Sequence, residues 1–133
     1  MPDVVRRLAQ EQVVVANAHQ LVAPTLLRSQ LLSLLYRAVR QGELTKQEAE
    51  RQLTYMRKLQ IRLLGDRVLQ RVAWKVADQL GWPDTLDAEY VALTQLQADA
   101  LITLDNEFAG AVRGIVTVAP FEALCDADSA LKA

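Results

Sequence analysis

Asp84-Thr85-Leu86-Asp87-Ala88-Glu89-Tyr90-Val91-Ala92-Leu93-Thr94-Gln95-Leu96-Gln97-Ala98-Asp99-Ala100-Leu101-Ile102-Thr103-Leu104-Asp105-Asn106-Glu107-Phe108 is the stretch on which the fold turns. Its first half, from about Thr85 to Gln97, reads as a helix. Ala100 to Leu104 is a compact apolar run, the pattern of a buried strand. Gly114 to Val118 is a second, β-branched run that ends near Pro120. A short helix around Glu107 to Val112 lies between them. Two short strands joined through a helix predict a right-handed crossover and a parallel sheet. The expected fold class is therefore α/β, with a small parallel sheet surrounded by several helices.

Working outward, Asp3 to Gln10 predicts a short helix and Leu21-Val22-Ala23 a short strand stopped by Pro24. Thr25 to Gln41 predicts a long helix with Leu27, Leu31, Leu34, Leu35 and Ala38 at helical spacing and Gly42 as its stop. Thr45 and Glu48 form a capping box that opens a helix bearing Ala49, Leu53 and Met56. Ile61, Leu63 and Leu64 read as a strand. Val68, Leu69, Val72, Ala73, Val76 and Leu80 read as one face of a helix closed by Gly81.

The chain has 133 residues, 51% of them apolar and 23% charged, with a net charge of −1. These values fit one globular domain over residues 1–133, with a tail from about residue 125. A single cysteine, Cys125, excludes an intramolecular disulfide scaffold. No run approaches the roughly 18 apolar residues of a membrane span. The sequence opens without a basic-then-apolar leader, so the cytoplasm is the expected compartment. Charge is unevenly divided: 13 of the 15 basic residues precede Asp84, and 9 of the 16 acidic residues lie from Asp84 onward. Arg57, Lys58, Arg62, Arg67, Arg71 and Lys75 oppose only Asp66 in their stretch. Such a run is either the solvated face of helices or a surface that tracks phosphates. Trp74, Trp82, Tyr36 and Tyr55 are expected to be packing residues.

Two carboxylates of the opening stretch are candidates for chemistry. Asp105 falls at the C-terminal end of a predicted parallel strand, the edge beyond which ligands collect in α/β sheets. Asp87 falls in the first turn of the preceding helix, which can return antiparallel and bring the two together. Paired carboxylates are oxygen ligands for Mg²⁺ or Mn²⁺. Each also has a plain structural reading, Asp87 as a charge favoured by the helix dipole and Asp105 as a helix N-cap. His19 is the only histidine, which disfavours triads and histidine-rich metal sites.

The segment from Asp84 to Phe108 resembles the second half of a PIN domain, in particular the VapC-like toxin ribonucleases. Asp87-Ala88-Glu89-Tyr90-Val91-Ala92-Leu93 matches that family's acid-bearing helix, and Thr103-Leu104-Asp105 its strand-end "TxD". His19 to Val39 is similar to its strand–Pro–helix segment, and Gly114 to Leu124 to its last strand. The resemblance implies a three-layer α/β/α fold, a Mg²⁺ or Mn²⁺ ion at Asp87 and Asp105, cleavage of RNA, and a cognate antitoxin as partner. It assigns Gln30 to the pocket where the family has a glutamate, which removes one negative charge. It assigns Thr103 and Arg28 to the substrate. Matching Val4-Val5 to the family's first aliphatic pair puts its first catalytic aspartate at Met1 and its first strand upstream, with Asp3 as the stand-in acid. The expected consequences are unpaired sheet edges and a gap in the core, covered by a dimer partner or a remodelled N-terminus. The alternative is a degenerate PIN-like domain that binds RNA or protein without cutting.

Overall fold

Val4, Val5 and Leu8 recur at helical spacing behind Pro2, whose fixed φ suits a first helical position. They form one face of helix α1, Pro2–Gln10. The computed structural model describes residues 1–15 and 19–125, so the expected tail lies outside the described residues from position 126. Strand β1, Val22–Pro24, leads into helix α2, Leu26–Arg40, which buries Leu27, Leu31, Leu35 and Ala38. Helix α3, Lys46–Lys58, opens with the Glu48 N–H donating to Thr45 Oγ1 at 3.1 Å. Only this half of the predicted capping box forms. The Glu48 carboxylate accepts from Arg51 instead, and Arg51 also donates to the Ala9 carbonyl at 3.1 Å, which pins α3 to the last turn of α1.

Strand β2, Arg62–Leu64, is followed by Asp66, which caps helix α4, Arg67–Leu80, by accepting the Leu69 N–H at 2.9 Å. Gly81 ends α4 at φ +67°, a left-handed conformation that glycine adopts without a Cβ penalty. Helix α5, Leu86–Gln97, then packs against α4, β1 and strand β3, Leu101–Ile102. Helix α6, Asn106–Val112, strand β4, Val118–Ala119, and a 3₁₀ turn, Phe121–Leu124, complete the order. The helical spacing is borne out along α2 and α4, with one exception: Val68 is 51% exposed rather than on the inner face.

The fold is mixed α/β and its pairings are parallel, as expected. Val22, Ala23 and Pro24 lie beside Arg62, Leu63 and Leu64, and Leu101 and Ile102 lie beside Val118 and Ala119. The single sheet is a correction: among the described residues the strands form two separate two-stranded sheets, β1–β2 and β3–β4. The second pair is also shorter than its apolar runs. The Ile115 and Val116 N–H groups donate to the Val112 carbonyl at 2.8 and 3.0 Å, so the start of the second run turns out of α6 instead of joining the ladder. A cavity of about 560 Å³ lies between the two pairs. Val22 and Ala23 of β1, Leu101 and Ile102 of β3, Val5 of α1 and Leu93 of α5 line it.

The β1–β2 ladder continues one bond further, where the Thr25 N–H donates to the Leu64 carbonyl at 3.1 Å. This brings the two chain segments so close that a Cβ on Gly65 would meet Thr25 Oγ1 at 2.8 Å and Cγ2 at 3.2 Å. Overpacking of this kind typically costs about 1–3 kcal/mol. Gly65→Ala is therefore expected to lower the urea midpoint by a matching amount, and Thr25→Ala in the same chain to recover most of it. An equal midpoint for Gly65→Ala and the parent chain would show that this close approach does not exist.

Candidate functional site

Helix α5 begins beyond the turn at Trp82, whose ring stacks on Phe108 of α6 at a centroid distance of 5.7 Å. Asp84 closes that turn by accepting the Leu86 N–H at 3.0 Å. Asp87 follows in the first turn of α5, and its carboxylate is held above the ordinary aspartate range. Burial is the largest cause. The charges of Asp84, Asp105 and Asp3 push the same way, and the Met1 amino group pushes against them. Acids from α1, from the turn before α5 and from the end of β3 therefore meet electrostatically at one carboxylate.

Asp84, Asp105 and Asp3 lie near enough to Asp87 for their charges to raise its pKa. Asp105 also fulfils its plain structural reading. Its Oδ1 accepts the Glu107 and Phe108 N–H groups at 3.0 and 3.1 Å and caps α6, so Oδ2 is the oxygen left for a ligand. The Thr103 hydroxyl oxygen accepts the Asp105 N–H at 3.2 Å and fixes the loop that presents this carboxylate. Gln30 of α2 meets α5 at Tyr90, its Oε1 accepting from the Tyr90 hydroxyl at 2.5 Å. Arg28 is exposed in the first turn of α2, with no contact to the acids among the described residues.

Two groups of the site were not singled out from the sequence. Tyr90 is 4% exposed, and its hydroxyl is kept protonated by burial first, then by Asp87, Asp3 and Glu89. It is therefore a permanent donor to Gln30. Its place one turn after Asp87 was the available signal. The Met1 amino group lies beside Asp3 and Asp87, and burial lowers its pKa to about 6 against their opposing attraction. Nothing in the local sequence marks that position.

Among the described residues, no three carboxylate, imidazole or thiol groups converge into a metal cage. Mg²⁺ does not require one, because it keeps several waters and binds through one or two carboxylates. Asp87 with Oδ2 of Asp105 is a donor set of that type, and Asp84 and Asp3 add negative potential around it.

The direction of the Asp87 shift fixes a pH dependence. A carboxylate that ionises less readily folded than unfolded binds more protons in the native state, so its contribution to stability falls as pH rises from the ordinary value near 3.8 through the raised one. Asp87→Asn removes that loss. In urea melts, the variant is expected to gain on the parent chain as pH increases through this window and to hold the gain at pH 7. A constant difference across the window would contradict the desolvated, like-charge environment. No protein-family model, curated protein or solved structure matches this chain.

Proposed function

We propose that the chain is a PIN-like, metal-dependent endoribonuclease of the VapC toxin type, acting on RNA phosphodiester bonds. One observation carries the reading: partial burial and the charges of Asp84, Asp105 and Asp3 raise the pKa of Asp87, and Asp105 stands just beyond the C-terminal end of the parallel strand β3. That strand end is the edge at which α/β sheets collect ligands, and Asp105 serves there as a helix cap as well. The cavity between the β1–β2 and β3–β4 pairs supports the same reading. It lies where the resemblance leaves a place for a further strand of a three-layer α/β/α sheet.

In this reading Asp87 and Asp105 hold the Mg²⁺ or Mn²⁺ ion, and Asp3 and Asp84 strengthen its attraction. The ion supplies water activation and charge neutralisation at a phosphodiester. The chain's own residues do the positioning. Asp105 is fixed by its bonds to the first turn of α6, and Thr103 fixes the backbone before it. Tyr90 holds Gln30, which offers no net charge where a carboxylate would bind a divalent ion more tightly. A cognate antitoxin and a homodimer are the partners the toxin reading carries with it.

A second reading has its own support. Gln30 is neutral and already bonded, and Oδ1 of Asp105 is spent on the helix cap. A site so weakened suits a domain that holds RNA or a protein without cutting. Mn²⁺ calorimetry and cleavage of a single-stranded RNA separate the two. The nuclease reading expects Mn²⁺ binding that Asp87→Asn weakens, and metal-dependent cleavage that Asp105→Asn reduces by at least about 100-fold, since removing an outer-shell group alone can cost that much. Cleavage unchanged in Asp105→Asn would overturn it, and absence of both Mn²⁺ binding and cleavage would favour the degenerate domain.

A further inference from the structure

Helix α4 carries charges in an order its own stability disfavours. A helix gains when acids sit in its first turn and bases in its last. Here Arg67 opens the helix and Arg71 follows one turn later, while Asp78 stands in the last turn. The inner face, Leu69, Ala73, Val76 and Ala77, is buried and accounts for the packing. The outer face presents Arg67, Arg71 and Lys75, all exposed and none in an ion pair among the described residues. Asp78 lies one turn from Lys75, yet no salt bridge joins them.

Trp74 stands on the same face and is 68% exposed, which corrects its expected packing role. Tyr36, expected to pack as well, is 65% exposed on α2. The contrast with Trp82 is informative, because that ring is half-buried and stacked on Phe108. An exposed indole flanked by unpaired cations contributes little to this fold.

We propose that the outer face of α4 is a binding surface for single-stranded RNA, with Trp74 stacking on a base and Arg67, Arg71 and Lys75 holding successive phosphates. The three cations recur once per turn, about 6 Å apart along the helix axis. They form a row suited to an extended polyanion. Stacking platforms beside basic tracks are the general device for single strands, because every base has a π-face. Arg71 and Lys75 flank Trp74 by three residues and by one, so base and phosphate contacts fall on one helix face. The surface rests on the RNA-directed reading of the acidic site and adds to it the element that would hold the strand.

The test is titration of a fluorescein-labelled uridylate dodecamer with the whole chain in EDTA, which blocks metal-dependent cleavage, following the label's anisotropy for every variant and tryptophan emission for the parent chain. Binding is expected to quench Trp74, and Trp74→Ala to weaken affinity about tenfold or more, within the range of stacking losses. Trp74→Phe should retain most of the affinity. Three phosphate contacts predict a log–log salt slope of about −2, and Arg71→Ala should reduce it by about 0.7. Equal affinities for the parent chain and Trp74→Ala would overturn the proposal. So would equally tight binding of poly-glutamate, which would mark a surface for acidic proteins. Because EDTA removes the metal, the titration reads the α4 surface without cleavage, so loss of binding and loss of metal-dependent cleavage report on different sites.

Discussion

The burial of helix α5 is the constraint on which the rest of the structure depends. Ala88, Tyr90, Val91, Ala92, Leu93 and Thr94 are all buried, so the helix is enclosed over much of its circumference. A helix apolar most of the way round must be surrounded by other elements. Here α4 takes one side, and β1 and β3 take others, which makes α5 the common neighbour of both sheets. The small residues Ala88 and Ala92 let those neighbours approach closely. Thr94 pairs its own hydroxyl with the Tyr90 carbonyl at 2.8 Å, so its burial leaves no unmet donor. Moving α5 would shift Asp87 and Tyr90 together and separate both sheets from their shared support.

The helices were legible because their information is local. Leu27, Leu31 and Leu35 repeat at the helical period, Thr45 carries the oxygen a cap needs, and Gly81 supplies the left-handed exit; the Asp66 cap of α4 was a local signal left unread. The strands were less legible. Apolar runs at Ala100 to Leu104 and Gly114 to Val118 mark burial, but strand length depends on which carbonyl each N–H finds. The Val112 carbonyl captures Ile115 and Val116 before the ladder begins. The division into two sheets was equally out of reach of periodicity, since it depends on what stands between β1 and β3. The exposure of Trp74 is a further case. An aromatic at helical spacing reads as core until the fold shows which face it occupies.

The site divides along the same line. Asp87 and Asp105 were readable from their places at a helix start and a strand end. The effect of Asp3 on Asp87 depends on how α1 packs on α2 and α3, which no local pattern encodes. The hydrogen bond from Tyr90 to Gln30 joins residues 60 positions apart. Its consequence is chemical: a neutral amide held by a protonated phenol contributes a dipole where a glutamate would contribute a full charge. The acidic group therefore relies on Asp84 and Asp3 for potential rather than on a third direct carboxylate.

Two places in this molecule run against their local rules, and neither is required by the core. Asp87 keeps its carboxylate partly out of water among like charges, and α4 carries its cations at the end where the macrodipole repels them. Natural sequences are otherwise consistent across levels, and departures concentrate where a ligand recovers the cost. The two departures have opposite signs. A cation would relieve the first and a polyanion the second, and the proposed nucleic acid with a divalent counterion would supply both. The uneven charge along the sequence takes physical form as acids around Asp87 and a basic row on α4.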